Sequence, residues 1–302
     1  MNAKILTTVL LILGAAGDLD AQITIPDNKH VNVGVVYPVS SNGRQAGSIV
    51  NCFSLNVLAG FSAGETGLCI AGISNIIMDS ASGVQIAGFS NHIGHYSSGV
   101  EIAGFANINR GDAGTQLSGF INIAKKVRGV QIAGFINIAD SSDYPIAIFN
   151  FIKNGEMSIG ISTDETLTSL VTFRSGGRRL YGIAGLGYNH KGRRSLAAWE
   201  AGLGGHLIST ARFRLNAEIV NIGLTDFKHG DWMKSTFRLL PAYRFNHRIE
   251  IYAGPTFNYL HADNGQGADI VDHYLWSKQN TTSYQGLFIG ATGGITISLT
   301  NK

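Results

Sequence analysis

Charge is scarce in this chain. Asp, Glu, Lys and Arg make up 14% of the 302 residues, whereas a soluble globular domain carries about 25%. The net charge of +3 is too mild for an electrostatic nucleic-acid footprint, so nucleic acid is excluded as a partner. Only Cys52 and Cys69 can form thiol chemistry. Two cysteines make neither a disulfide framework nor a zinc site. If they lie on antiparallel strands joined near Ser62–Thr66, Cys69 faces about Gly60 and not Cys52, so both read as small buried apolar residues. Beyond the first residues there is no apolar run of about twenty, which excludes a spanning helix.

What is present begins with a leader. Lys4 precedes an apolar stretch, Ile5 to Ala16, and small residues at Gly17 and Ala21 offer cleavage points. A signal peptide is expected over residues 1–21. No cysteine follows the apolar stretch, so lipid attachment is not expected there.

Glycine is abundant, with 39 residues, and much of it belongs to a repeat. The units are Leu68-Cys-Ile-Ala-Gly-Ile-Ser-Asn-Ile76, Val84-Gln-Ile-Ala-Gly-Phe-Ser-Asn-His92, Val100-Glu-Ile-Ala-Gly-Phe-Ala-Asn-Ile108, Thr115-Gln-Leu-Ser-Gly-Phe-Ile-Asn-Ile123 and Val130-Gln-Ile-Ala-Gly-Phe-Ile-Asn-Ile138. A decayed copy runs from Pro145 to Phe151. The spacing is about 15 residues. Each unit alternates with period two, a strand signature, with Gln131, Ala133, Phe135, Asn137 and Ala139 sharing one face. Two architectures fit. Each unit is one strand of an antiparallel barrel, or one coil of a β-solenoid with a ladder of Asn91, Asn107, Asn122 and Asn137. The near absence of charge within the units favours the barrel.

From Ser195 onward, apolar residues fall mostly at odd positions and polar ones at even positions. Glu200, His206, Arg212, Arg214, Glu218, Arg238, Arg244, Arg248 and Glu250 share the even face. In an outer-membrane barrel that face lines the lumen, and the apolar face meets lipid. An open lumen with an excess of arginine would favour anions. Connections alternate between short (Ser175–Arg179, Ser209–Ala211, Asn246-His247) and long (Asn189–Arg194, Leu224–Ser235, His261–Ser283), the outer-membrane pattern. Pro241 and Pro255 sit mid-strand and predict bulges. Tyr243, Tyr259 and Trp232 are candidates for an aromatic girdle. The count reaches about sixteen strands, beginning at His30–Val39.

The fold expected is therefore all-β: an antiparallel outer-membrane-type barrel of about 16 strands. Residues 22–152 form a strand-repeat region, and residues 153–302 continue the same barrel. The alternative is a short-repeat β-solenoid followed by a smaller barrel.

The segments Val35-Val-Tyr-Pro-Val-Ser-Ser-Asn-Gly43 and Phe53-Ser-Leu-Asn-Val-Leu-Ala-Gly-Phe61, the repeats, and Pro145-Ile-Ala-Ile-Phe-Asn-Phe-Ile-Lys-Asn-Gly155 carry a resemblance. Together they resemble the uncharacterised surface-repeat proteins common in Bacteroidetes. The resemblance implies an outer-membrane or cell-surface location and offers no catalytic residues. The C-terminus, Ser298–Lys302, lacks the terminal aromatic of many outer-membrane barrels.

Candidates for chemistry are thin. Gly182-Ile-Ala-Gly-Leu-Gly187 lacks the following helix that a dinucleotide loop needs. Asp263, Asn264, Asp269 and Asp272 are hard oxygen donors in the longest loop, without the spacing of an EF-hand. Glu200 with His206 is an acid–base pair without a nucleophile. No catalytic, cofactor-binding or metal residue is assigned. The expected role is non-enzymatic: a passive pore or structural surface element in contact with outer-membrane lipid, with loops open to an extracellular ligand. The alternatives are a secreted or surface repeat protein that binds partners through a solenoid face, and a barrel enzyme acting on lipid or polysaccharide.

Overall fold

The computed structural model describes residues 30–191, 196–225, 232–263, 271–280 and 283–300. The expected leader therefore lies outside the described residues. The described chain is all-β, and its two halves are built on different rules.

The first half is a solenoid of parallel strands. Its strands are β1 (His30–Val36), β2 (Val39–Ser40), β3 (Val50–Asn56), β4 (Ala59–Ser62), β5 (Gly64–Ala71), β6 (Ser74–Ile77) and β7 (Val84–Ala87). They continue with β8 (Ser90–Ile93), β9 (Val100–Ala103), β10 (Ala106–Asn109), β11 (Thr115–Ser118), β12 (Ile121–Ala133), β13 (Ile136–Ile146) and β14 (Phe149–Ile152). One wall is the run β1-β3-β5-β7-β9-β11, completed by the second half of β12. The other is β4-β6-β8-β10, completed by the first half of β12 and then by β13 and β14.

The repeat explains this geometry. The Ala-Gly-Phe step inside each unit is a corner, not strand interior. At Gly104, Gly119 and Gly134 an added Cβ would lie 2.1–2.2 Å from the carbonyl oxygen of the corner glycine one coil earlier. Only glycine lets the coils stack at strand spacing there. Each nine-residue unit is thus two short strands meeting at a bend. The expectation that each unit is one barrel strand is overturned for this reason, and with it the sixteen-strand count. His30–Val39 is likewise not a barrel strand: β1 pairs in parallel with β3, and β2 folds back on β1 after a cis Tyr37–Pro38 bond. Cys52 and Cys69 sit on parallel strands, Ser54 being the partner of Cys69, and both are free. Cys69 is buried as expected, whereas Cys52 is half-buried.

The second half is a meander of β15 (Glu156–Asp164), β16 (Thr168–Gly176), β17 (Leu180–Asn189), β18 (Leu196–Ser209), β19 (Phe213–Thr225), β20 (Trp232–Arg244), β21 (Ile249–Asp263), β22 (Trp276–Gln279) and β23 (Ser283–Ser298). From β15 to β21 each strand pairs antiparallel with the next, and β21 then pairs antiparallel with β23. β15 returns to β23 from Ser158↔Ser298 to Asp164↔Thr292, which closes the sheet. Among the described residues, eight strands form this closed barrel, with β22 as an added edge on β23. The barrel thus begins at Glu156 and does not continue the repeats. Short turns at residues 177–179, 210–212 and 245–248 share one end with Glu156 and Ser298. The long connections share the other end.

Pro241 and Pro255 produce no bulge. The β20–β21 ladder keeps one register from Arg238↔Thr256 to Ala242↔Tyr252 and opens only between those pairs. Both prolines lie in that opening, where residues without an N–H to give interrupt the ladder without shifting its register.

Candidate functional site in the barrel interior

Alternation decides what the barrel wall presents on each side. Outward positions are apolar and open: Leu186 is 73% exposed, Ile219 65% and Ile161 64%, with Val171, Phe237, Phe257, Ile289 and Ile295 around them. Tyr243 and Tyr259 also face out. Trp232 does not; its even position turns it inward, and it is buried with Ile222, Leu224, Leu260 and Phe288 at the long-loop end. Among the described residues, no helix is long and apolar enough to cross a membrane, which says nothing of a barrel.

The interior below that apolar layer is an ion network. Glu218 sits at its centre. Its Oε1 accepts from Arg174 Nε at 2.9 Å and from the Tyr181 hydroxyl at 3.0 Å. Arg174 also donates to Thr172 and to the Tyr252 hydroxyl. Arg238, 2% exposed, places Nη1 3.5 Å from Glu218 and Nη2 2.7 Å from Glu200. The Glu200 contact is an ion contact without aligned hydrogen bonds, since neither Glu200 oxygen has a hydrogen-bond partner. Nearer the long-loop end, Lys234 Nζ, 1% exposed, lies 2.7 Å from Asp164 and 3.2 Å from Glu165.

Small residues opposite make room for these side chains. A Cβ at Gly204 would fall 2.3 Å from the Tyr181 ring, and one at Gly294 2.7 Å from the Tyr252 hydroxyl. The side chains pack flat against bare wall, so the middle of the barrel is filled.

At the short-turn end the interior opens into a cavity of about 160 Å³. Arg214 binds Glu156 at 2.9 Å and approaches Glu250 at 3.7 Å. His206 Nδ1 hydrogen-bonds Asn216 Oδ1 at 2.7 Å and its Nε2 lies 3.8 Å from Glu156. Arg244 reaches Glu250 at 3.3 Å across the mouth.

Of the expected lumen face, Glu200, His206, Arg214, Glu218 and Arg238 are inside, and Arg244 and Glu250 line the mouth. Arg212 is not on that face. It lies exposed in the turn before β19, where strand alternation has ended. Arg248 is exposed in the β20–β21 turn, at the rim of the cavity. Arg174, Tyr181, Tyr252, Asp164 and Lys234 belong to the network but were not read from the sequence. Asp164 and Arg174 share even parity with it, a signal that could have found them. The expected arginine excess does not hold, because Asp164, Glu156, Glu200 and Glu218 answer Lys234, Arg214, Arg238 and Arg174. Glu200 and His206 do not meet: one is held by Arg238, the other by Asn216. No three His, Cys, Asp or Glu side chains converge for a metal among the described residues. Asp272 instead pairs with Lys191 at 3.0 Å. The other loop donors, Asn264 and Asp269 with the side chain of Asp263, lie outside the described residues.

The solenoid interior carries the other polar array. Asn75, Asn91, Asn107, Asn122, Asn137 and Asn150 form a ladder in which each Nδ2 donates to the next Oδ1 at 2.9–3.0 Å. Beside it Gln131 donates to Gln116 and Gln116 to Glu101, both at 2.9 Å. Glu101 also accepts from Ser97 and from Asn109 at 3.0 Å. Burial pushes its carboxyl above the ordinary range, partly offset by these donors. Burial does the same to Glu65.

No protein-family profile, curated protein or solved structure matches the chain. A reading of its function rests on this geometry.

Proposed function

We propose that this is a non-enzymatic outer-membrane protein whose eight-stranded barrel is a closed structural anchor, not an open pore. The observation that carries the reading is the inverted wall: apolar, charge-free outward positions around a paired ionic interior. In water that arrangement exposes what should be buried, whereas in lipid both sides are satisfied. Strand lengths of 9 to 16 residues support it, since a tilted membrane strand needs about 9–11. The filled interior favours an anchor over the pore that an open lumen would make. Short turns and both barrel ends at one pole argue that this pole faces the periplasm and the long loops face outward.

Fractionation with protease shaving tests this. Trypsin added to intact cells should cut at Lys278, on the long-loop side, and spare Arg178, Arg212 and Arg248. Permeabilising the outer membrane should expose those three. Recovery of the protein in a soluble fraction without detergent refutes the proposal. So does cleavage of the short turns in intact cells.

A further inference from the structure

The solenoid is inverted as well. Its inward side chains are mostly Asn, Gln, Ser, Ala and a few carboxylates, with Ile77, Ile93, Val127 and Ile152 among them. Its outward ones are Val31, Val33, Leu55, Ile76, Ile138 and Phe151, all exposed. A water-soluble solenoid gains its stability by burying an apolar stripe between its walls. This one buries only that thin row of Ile77, Ile93, Val127 and Ile152 among alanines, beside its polar ladder, and leaves its larger apolar residues outside.

The coil has two unlike edges. At the Gly-Phe corner Phe89, Phe105, Phe120 and Phe135 stack at 4.8, 4.9 and 5.3 Å, with exposed Val57, Leu58 and Ile73 continuing the edge. The opposite edge carries the charges: Asp79, His95, Arg110, Asp112, Lys125 and Arg128. Four strand residues and their flanks separate the two edges. At about 3.3 Å per residue that is roughly 15 Å, half of a hydrocarbon core about 30 Å thick.

The junction with the barrel fixes the orientation of these edges. The charged edge of the last coil meets the short turn: Ser142 O packs on Gly177, and Arg179 lies over the Tyr144 ring at 5.8 Å. The corner of that coil lies farther up the outer wall. Ala147 O and Ile148 O pack on Gly182, and the Phe149 ring lies 6.3 Å from Phe173. Phe135 and Phe149 are 5.3 Å apart, so the aromatic strip runs without a break onto the barrel's lipid-side face.

We infer that the solenoid is a leaflet-embedded wing. Its phenylalanine edge and both walls lie in the acyl chains of the periplasmic leaflet, and its charged edge lies level with the short turns in the headgroups. The occupant of the apolar faces is lipid. The inference rests on the barrel being in the membrane, and its test separates the two.

Full-length protein is reconstituted into phosphatidylcholine–phosphatidylglycerol vesicles and labelled with an environment-sensitive fluorophore at single cysteines. Cys52 is replaced by Ser, and the buried Cys69 is left in place. Labels go at the corner (Val57→Cys and, separately, Phe105→Cys), at the charged edge (Arg110→Cys) and on the barrel wall (Leu186→Cys). Val57 is 64% exposed, so its substitution spares the fold even if Phe105→Cys does not. The corner labels should show blue-shifted emission and lose most of it to a nitroxide near the acyl-chain end. The Arg110→Cys label should be quenched by a headgroup nitroxide instead. Quenching at the barrel wall with a water-exposed corner overturns the wing and leaves the barrel reading intact. Water exposure at both sites sinks both. A corner shielded from water and from every lipid quencher, and cross-linked between chains, overturns lipid in favour of a second copy.

Discussion

Glu218→Gln is the sharpest perturbation of the barrel. The amide keeps the shape but removes the charge that two guanidinium groups share. Arg174 loses a two-point partner at 2.9 and 3.4 Å, and Arg238 loses one of its two carboxylates. Removing one member of a buried ion pair costs about 3–5 kcal/mol, because the remaining charge is left uncompensated. Arg238 keeps Glu200, so the lower part of that range applies, about 3 kcal/mol. That is roughly a hundredfold shift in the unfolding equilibrium. The chain has 3 tryptophans, Trp199, Trp232 and Trp276, all in the barrel half. Their fluorescence during urea unfolding in lipid vesicles reports the barrel alone, and the gel mobility of unboiled samples gives an independent reading. Adding Arg174→Met, which removes the orphaned charge, should recover part of the loss, giving a coupling of more than about 1 kcal/mol. A loss below about 0.5 kcal/mol for Glu218→Gln, or strict additivity of the pair, refutes the claim that paired charges hold the interior.

Other consequences can be checked with the same material. Asn107→Ala strips acceptors from Asn91 and donors from Asn122 Oδ1 and Leu117 O. At about 1–3 kcal/mol per buried group left unsatisfied, local stability should fall by about 3 kcal/mol, read as faster amide exchange in β9–β12 with unchanged tryptophan fluorescence. Glu101 and Glu65 have carboxyls raised by burial. The folded solenoid holds their protons longer than the unfolded chain does, so stability is full below the ordinary glutamate range and declines as pH rises through the raised values. Glu101→Gln should flatten that decline in amide exchange measured from acid to neutral pH; an unchanged slope rejects the assignment. Leu186→Arg puts a cation on the outer wall, where it costs about 2–4 kcal/mol near the bilayer midplane. Vesicle insertion should drop, and insertion at the parent level counts against a lipid-facing wall. Planar-bilayer recordings of the parent protein should show no ion-conducting steps.

The sequence carried the strand class, the repeat and the inward parity of β18 to β21, because period-two alternation is local. It did not carry the closure of the barrel. Whether Gly134-Phe135 is strand interior or a corner depends on the coil beneath, where the carbonyl of Gly119 leaves no space for a side chain. Alternation across the corner disguised this. Gln131, Ala133, Asn137 and Ala139 do share the interior, but Phe135 between them points out. Arg212 and Arg248 were placed on the inner face by parity alone, and parity has no meaning once the chain leaves the ladder. Arg174 and Lys234 share the even parity, but their pairing is not local: their partners Glu218 and Asp164 are 44 and 70 residues away, and only the closed sheet brings them together.

If the protein lies in lipid as proposed, its two halves solve one problem in different ways. In hydrocarbon each backbone polar group must find a partner within the protein, and an open sheet edge is not tolerated. The barrel meets this by pairing β15 with β23. A solenoid cannot close on itself, so its ends need covers. At its start β2 folds back along β1, pairing Gly34 with Ser40 and Val36 with Val39. At its finish the ladder ends on the barrel: Asn150 N–H donates to Ser175 Oγ at 2.9 Å, and Asn150 Nδ2 donates to Ser175 O at 3.2 Å. Ser175 occupies an outward position of β16, on the exposed face of the barrel, yet it is fully buried by this contact. Outward polar residues elsewhere on the wall, such as Asn221 and Ser235, are exposed; Ser175 is buried because the solenoid's last coil is seated on it. Ser175→Leu should therefore loosen the solenoid from the barrel, seen as new tryptic cleavage at Lys153, while leaving barrel tryptophan fluorescence unchanged. If Lys153 stays as resistant as in the parent, the ladder does not depend on the barrel for its end.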